Sequence, residues 1–393
     1  MNPFTALVGD ERHAIYTDWS AEGPVHPVET PYGIPAWLVT GYAETRALMS
    51  DPRIVKGGLE NAVYARELPE DVARGIHTTM LNSNPPTHAR LRRLVTSVFT
   101  RRRVEKLVPW IQQLTDDLLT AVEGQDTVDL MAAFAYPLPI NVICGLLCIP
   151  EDDRAAFTAW TVVAISPGVH GFPKYEEAVT AMLHFDRQLI ARKRKAPQDD
   201  LLSDLIAARD GDDRLTEDEI TSMIFLLLLA GFETTANLIG NSVRALLAHP
   251  DQLNLLRNRP ELLEQAIEEL LRHDGPVQVT PPYWTTESVD IAGTAIPEGS
   301  AVVFALMAAN RSHRHFASPD DLDITRDARA HLAFGHGLHH CLGAPLARVE
   351  ARIAFHTLLD RYPGLRAAAP PESLTRTPSM IVNGLSALPV HLR

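Results

Sequence analysis

One cysteine of this chain lies where a thiolate would be stabilised. Cys341 follows the glycine-rich stretch that begins at Phe334 and precedes Pro345, a residue suited to the first turn of a helix. Free N–H groups and the dipole at such a helix N-terminus favour a thiolate. Cys341 can therefore be a nucleophile, a metal ligand or a small buried hydrophobe. The last is the usual state of a free cysteine, and we expect it of Cys144 and Cys148, four residues apart in an apolar helical stretch.

Histidines near this cysteine raise the alternative of a zinc site. Four of them lie within ten residues of Cys341: His331, His336, His339 and His340. Zinc ligands usually follow spacings such as C-x2–4-C with H-x3–5-H, and only one thiol is present here. Because the adjacent His339 and His340 cannot easily both face a metal held by Cys341, we do not favour zinc.

A second candidate for chemistry lies inside a long apolar helix. Thr216 and Glu219 match a capping box, and a helical pattern runs from there to Ala248, about 32 residues or roughly 48 Å. Its centre is apolar all round, which predicts burial on every side. Four residues that fit such a core poorly lie there: Gly231, Glu233, Thr234 and Thr235. A kinked core helix with locally satisfied polar groups would explain them. We favour a helix opened beside a reaction site, because buried charge is commonly retained for function.

Most of the elements that must position these residues are helices. Helical patterns of about 10 to 30 residues, separated by Pro, Gly and Asp clusters, cover most of the chain. Strand patterns occur at residues 25–29 with 35–40, and at residues 289–304, where Gly293 and Gly299 interrupt the run. The expected fold is mainly α, a single domain over residues 1–393 with a long central helix and a small β-sheet annex.

Composition limits the possible functions. The 393 residues are 46% apolar, enough for a large core, and a net charge of −13 argues against nucleic-acid binding. Three cysteines are too few for a disulfide framework, which favours a reducing cytoplasm. Residues 1–20 lack the pattern of a signal peptide, and no run of 18 apolar residues predicts a membrane span. We expect a soluble cytoplasmic protein.

The cysteine segment resembles the ligand loop of cytochromes P450. That loop has the pattern Phe, two residues, Gly, three residues, Cys, one residue, Gly. Phe334, Gly337, Cys341 and Gly343 fill all four positions.

Three other segments are similar to motifs of the same family. The segment from Ala230 to Thr235 resembles the oxygen-activation motif, and Glu269-Leu-Leu-Arg272 resembles the E-x-x-R motif. Asn84-Pro-Pro-Thr-His-Ala-Arg-Leu-Arg-Arg resembles a stretch of soluble bacterial members that usually begins with Asp. With the cysteine loop, the four motifs span residues 84 to 343 in the family's order.

The resemblance implies a haem-thiolate monooxygenase that binds haem b through Cys341, its iron ligand. A thiolate ligand pushes electron density into the iron and favours O–O cleavage. The resemblance also implies that three residues bind the haem propionates: His88, Arg92 and His339. The other cofactor-binding residues that it implies are Ala230, Phe334, Gly337 and Gly343. Glu233 and Thr234 would relay protons to bound O2, and Glu269 with Arg272 would form a structural ion pair.

Two positions depart from the family pattern. Tyr283 stands four residues before Glu287, where the family usually has a propionate-binding arginine. Asp321 stands where many members have the third residue of the structural Glu-Arg-Arg triad. Arg326 could substitute for it, and this assignment stays open.

The resemblance also implies reaction partners. The chain has no flavin or dinucleotide fingerprint, so electrons from NAD(P)H would arrive through a separate ferredoxin and reductase. The basic stretch 88–106 predicts docking of an acidic ferredoxin-type donor near Arg101, Arg102 and Arg103, although an ordinary solvated helix and turn would look the same.

The resemblance implies a bulky lipophilic substrate that is hydroxylated or epoxidised with O2, in the range of polyketide or macrolide, terpenoid and steroid-like natural products. Its pocket would draw on residues 55–80 and 155–182, the helix face near Phe232, and residues 277–282 and 380–385. The alternatives are a peroxide-driven haem-thiolate hydroxylase and a haem-binding gas or redox sensor without turnover.

Overall fold

The computed structural model describes residue 4 and residues 11–31, 33–57, 68–164, 171–210 and 213–393. In this part of the chain the α-helices are α1 Glu11–Glu22, α2 Tyr42–Leu48, α3 Glu70–His77, α4 Thr87–Val98, α5 Arg101–Ala121, α6 Pro137–Leu146, α7 Glu151–Ala164, α8 Phe172–Lys195, α9 Leu201–Ala207, α10 Glu217–Gly231, α11 Glu233–Ala248, α12 Pro250–Asn258, α13 Leu263–Asp274, α14 Leu306–Asn310 and α15 Ala344–Arg361. Single turns of 3-10 or π helix lie at Met80–Asn82, Met131–Ala135, Pro260–Leu262, Gly337–His339 and Pro371–Ser373.

The strands are short and form small sheets. They are β1 Val25–Glu29, β2 Pro35–Val39, β3 Ile54–Val55, β4 Thr127–Asp129, β5 Arg209–Asp210, β6 Asp213–Arg214, β7 Tyr283–Thr285, β8 Val289–Ile291, β9 Thr294–Ile296, β10 Ala301–Phe304, β11 Arg366–Ala367 and β12 Pro389–His391. The largest described sheet has the order β1-β2-β10-β7-β3, with β1 antiparallel and β10 parallel to β2. Gly293 has φ +84°, a conformation open to glycine without strain, so the β8–β9 turn forms where the sequence breaks. The mainly α fold with a β annex is confirmed.

The long apolar helix is divided in two. The capping box begins α10 as predicted: Thr216 Oγ1 accepts from the Glu219 N–H at 3.2 Å, and Glu219 Oε2 accepts from the Thr216 N–H at 2.9 Å. α10 ends at Gly231 and α11 begins at Glu233, so the predicted local opening is present. The stretch Glu217–Ala248 has the length and composition to cross a membrane, but 67% of its most apolar window is buried inside the structure, as in a core helix.

Contacts divide the chain into two compact units. The first contains Met1–Val55, Val108–Leu138 and Thr234–Arg393, and the second contains Lys56–Leu107 and Pro139–Glu233. The core of the first includes the fully buried strand β10. In the second, the rings of Phe157 on α7 and Phe185 on α8 lie 5.7 Å apart. The single-domain organisation stays a prediction.

The expectation for the paired cysteines is half right. Cys144 is buried in α6, as predicted. Cys148 is only half-buried and lies beyond Leu146, where the helix ends, with φ +50°. The helical interpretation of Cys148 is wrong because Pro150 disfavours helix in the residue before it and the chain turns ahead of it.

Candidate functional site

The segment before Cys341 is a closed loop at the N-terminus of α15. The Cys341 N–H donates to the Phe334 O at 2.9 Å, and Pro345 lies in the first turn of the helix, as predicted. Gly337 has φ +67°, and a Cβ there would stand 2.7 Å from both the Met49 O and the Ser50 Oγ. Because only glycine fits this conformation and spacing, Gly337 lets the loop pass against Met49 and Ser50 just before it reaches Cys341 at the helix end.

A carboxylate on α13 anchors the ring that begins this loop. The guanidinium carbon of Arg348 lies 4.5 Å from the centre of the Phe334 ring. Arg348 donates to Glu268 through Nε at 2.6 Å and Nη2 at 2.8 Å, and His331 Nε2 lies 3.1 Å from Glu268 Oε2. Burial alone would raise the pKa of Glu268, but the bonds from Arg348 and His331 lower it to about 2. The charge of Arg348 is therefore balanced by Glu268.

The E-x-x-R residues form a buried ion pair. Arg272 donates to Glu269 through Nε at 2.7 Å and Nη2 at 2.8 Å, and both side chains are fully buried. Arg326 Nε donates to Glu269 Oε1 at 3.2 Å, whereas Asp321 contributes its backbone O, which accepts from Arg272 Nη2 at 3.2 Å. Arg326 therefore completes the triad that the sequence left open.

Tyr283 lies beside His339. Their rings are 6.2 Å apart in an edge-to-face arrangement, and Tyr283 also packs edge-to-face on Phe304 at 5.2 Å. The phenol is only 4% exposed, and burial raises its pKa. A neutral ring that packs on His339 thus occupies the position at which the family pattern has a charged arginine.

The break in the long helix carries a buried acid. Phe232 separates α10 from α11, and a Cβ on Gly231 would stand 3.2 Å from Ile143 Cδ1, so the helix approaches its neighbour closely there. Glu233 is 8% exposed, and burial raises its pKa to about 7. Ala230 lies in the last turn of α10, and Thr234 follows Glu233 directly. A carboxyl with such a pKa can both release and accept a proton near neutral pH.

In the second unit, α4 carries the predicted propionate-binding pair. His88 and Arg92 lie four residues apart and hence on one face of the helix. His88 is 1% exposed, and burial and the Arg92 charge lower its pKa. Asn84, just before this helix, binds the backbone of Lys56: its Oδ1 accepts from the N–H at 2.8 Å and its Nδ2 donates to the O at 2.6 Å. An aspartate could not donate the second bond, which gives the departure at this position a structural reason.

The basic cluster at the start of α5 is partly balanced. Arg101 pairs with Glu105 at 2.9 Å, and Arg103 forms an ion pair with Asp204. Arg102 is exposed. Of the three predicted docking arginines, Arg102 therefore presents its charge to solvent most directly.

Two of the predicted pocket segments meet. Residues 277–282 and 380–385 are joined by an antiparallel bridge between Val277 and Val382. The predicted segments 55–80 and 155–182 each include residues outside the described part of the chain, namely 58–67 and 165–170.

The comparisons with known proteins decide the family. The profile of the Cytochrome P450 family matches residues 172–383. Cytochrome P450 107B1 of Saccharopolyspora erythraea is 45% identical over 99% of this chain and 96% of its own length. The 6-deoxyerythronolide B hydroxylase of the same organism is 42% identical over 96% of this chain and 95% of its own. The solved structure of the tirandamycin C-bound P450 monooxygenase TamI matches with a TM-score of 0.90 and 43% identity, and covers 98% of both chains.

The chain belongs to the cytochrome P450 family. As a P450 monooxygenase it is an oxidoreductase, and its cofactor is haem b. The loop fits a haem-thiolate site: Cys341 is exposed beside the N-terminus of α15, where the helix dipole favours a thiolate. No group of three His, Cys, Asp or Glu side chains that could hold a metal ion occurs in the described residues.

Sequence reasoning missed Glu268 altogether. Nothing distinguishes it in the sequence from Glu264, and unlike Glu269 it belongs to no motif. Its importance appears only once α13 and α15 are packed together and Arg348 reaches it.

Proposed function

We propose that this P450 inserts one oxygen atom from O2 into a bulky lipophilic natural product, by hydroxylation or epoxidation. The observation that carries the proposal is the buried Glu233 at the break of the long helix, with a pKa of about 7 and Thr234 next to it. Relatives named as the 6-deoxyerythronolide B hydroxylase and the tirandamycin C-bound TamI support a polyketide or macrolide skeleton as the substrate class.

The cofactor would be held by residues of both the loop and the helices. Haem ligated by the Cys341 thiolate supplies the chemistry of O–O cleavage. Charge-assisted bonds to its propionates suit His88, Arg92 and His339. The remaining cofactor contacts that we propose are Ala230, Phe334, Gly337 and Gly343.

Glu233 and Thr234 would deliver protons to the reaction site. The Glu233 carboxyl holds a proton near neutral pH because burial disfavours its charged form. The Thr234 hydroxyl can accept that proton and pass its own on. Without this pair, electrons from NAD(P)H would leave as hydrogen peroxide.

The first experiment tests the ligand. The reduced carbon-monoxide complex of the purified protein should show the red-shifted Soret band of thiolate ligation, and Cys341→Ala should abolish that band. Cys144→Ala and Cys148→Ala are matched controls that should keep it. A colourless wild-type protein that contains stoichiometric zinc would contradict the proposal.

A second experiment separates the reaction from its alternatives. Compounds that shift the haem spin state identify candidate substrates, and turnover is then measured with NAD(P)H and surrogate redox proteins. Product formed only with hydrogen peroxide would indicate a peroxide-driven enzyme, and no product under either condition would indicate a sensor.

We propose that the electron donor is an acidic ferredoxin that docks near Arg101, Arg102 and Arg103. Local positive charge steers association even though the net charge is −13. The reduction rate should fall as salt rises, and Arg102→Glu should lower it at low salt. Arg259→Glu, which changes an arginine paired with Glu261, is the control. A rate indifferent to salt and to Arg102→Glu would place docking elsewhere.

We also propose that the chain is a single cytoplasmic domain.

A further inference from the structure

We infer that Glu268 is a positioning residue for the cysteine loop, and that the balance of charge between Glu268 and Arg348 sets the reduction potential of the iron. The inference rests on the proposed ligand role of Cys341. Two contacts of Glu268 and one hydrogen bond within the loop support it.

The first contact is the bidentate ion pair between Glu268 and Arg348. Both of its bonds to Glu268 are short, at 2.6 and 2.8 Å, and they hold the planar guanidinium 4.5 Å from the centre of the Phe334 ring. A cation over an aromatic face is attracted by the ring quadrupole. Because two bonds fix the guanidinium, its position over the ring is determined by the carboxylate.

The second contact is His331, whose tautomer follows from its neighbours. His331 Nδ1 accepts from the Ala333 N–H at 3.1 Å, so the ring proton lies on Nε2. That proton is donated to Glu268 Oε2 at 3.1 Å. The His331 ring lies 5.8 Å from the Phe334 ring, so Glu268 orients two of the groups around this phenylalanine.

The third step connects Phe334 to the sulfur-bearing residue. The Phe334 O accepts from the Cys341 N–H at 2.9 Å. This bond links the backbone of Phe334 to that of Cys341. Groups around a metal ligand tune a metal's potential through position and charge.

Charge gives the inference its sign. The Glu268 side chain is 13% exposed and that of Arg348 39%, so solvent screens neither completely. Loss of the carboxylate leaves an extra positive charge near the iron, which favours the reduced state. Loss of the guanidinium leaves an extra negative charge, which favours the oxidised state.

The test is the midpoint potential of the holoenzyme, measured by spectroelectrochemistry. Glu268→Gln should raise the potential, Arg348→Gln should lower it, and the double variant should return towards the wild-type value. Arg361→Gln and Glu123→Gln are matched controls, because this pair holds the far end of the same helix with a 3.1 Å contact. The control potentials should equal that of the wild type.

Equal potentials for wild type, Glu268→Gln and Arg348→Gln would overturn the inference, and so would shifts in the same direction. If Glu268→Gln does not retain haem, Arg348→Lys and Arg348→Gln decide: the lysine variant should keep a potential nearer to wild type, and equal values for the two would overturn the inference. The carbon-monoxide spectrum keeps this test separate from the proposed function. A wild-type protein without the thiolate band contradicts the proposed function, whereas an intact band with unmoved potentials contradicts only the role of Glu268.

Discussion

Two regions of this molecule bury carboxyl groups with different consequences: on α13 arginines bind them, and at the break in the long helix burial raises the pKa. On α13, Glu269 is bound by Arg272 and Arg326. At the break between α10 and α11, burial raises the pKa of Glu233 to about 7.

Asp274, at the end of α13, makes the same contrast sharper. Its carboxylate accepts from Arg244 at 3.0 Å, from Arg376 at 3.1 Å and from Asn383 at 2.8 Å. Burial acts to raise its pKa, but Arg376 and Arg244 hold the pKa well below its usual range. Arginines thus keep the Asp274 carboxylate ionised and join three chain segments around it. At the helix break burial instead leaves Glu233 with a pKa of about 7, which suits proton transfer near neutral pH.

The largest expected effect is on catalysis at the break. Thr234→Ala should still bind substrate but lower product formed per NAD(P)H by about 10²- to 10⁴-fold, because a positioned proton donor is lost. Product and hydrogen peroxide are measured together. Thr221→Ala is the control, since its hydroxyl donates only to the Glu217 O of the preceding turn, at 2.9 Å. Unchanged coupling in Thr234→Ala would refute the relay.

The next effect is on stability at α13. Arg272→Met should cost about 3–5 kcal/mol of unfolding free energy, because it leaves a buried carboxylate without one of its partners. Urea unfolding measures this cost. Arg361→Met, which removes a surface pair with Glu123, should cost only about 0–1 kcal/mol. Similar costs for both variants would show that burial does not distinguish the two kinds of pair.

The part of this contrast that could be predicted from sequence is local. The capping box, Pro345 in the first turn and the break near Gly231 all depend on residues a few positions apart. Arg326 could not be assigned, because it reaches Glu269 across 57 residues and the chain between them decides whether its side chain or that of Asp321 arrives. Glu268 had no signal of its own, because its partners come from two other segments.

A third prediction concerns a second buried carboxyl whose pKa burial raises. Glu350 on α15 is 2% exposed, and burial raises its pKa to about 8. Between about pH 5 and 8 this carboxyl has lost its proton in the unfolded chain but keeps it in the folded chain, so the contribution of Glu350 to folding stability should fall by about 1.4 kcal/mol per pH unit. Glu350→Gln should remove this slope, measured as unfolding free energy against pH. A wild-type profile identical to that of the variant would mean that Glu350 is ionised in the fold.

The smallest effect is expected on α10 itself, where a paired carboxylate lies on the helix that ends just before Glu233. Glu219 Oε2 accepts from the Thr216 N–H at 2.9 Å, and Oε1 pairs with Arg90, which also contacts Asp213 at 3.2 Å. Because Arg90 keeps a second acid and glutamine keeps an acceptor for the N–H, Glu219→Gln should cost about 1 kcal/mol.

Coupling of NAD(P)H use to product should stay at the wild-type level in Glu219→Gln, because its carboxylate is paired and lies more than three helical turns from the break. Glu217→Gln, which changes a more exposed acid of the same turn that is paired with Arg194, is the matched control. A loss of coupling in Glu219→Gln without one in Glu217→Gln would show that proton delivery depends on the paired carboxylate as well. Proton delivery would then not be confined to the carboxyl whose pKa burial raises.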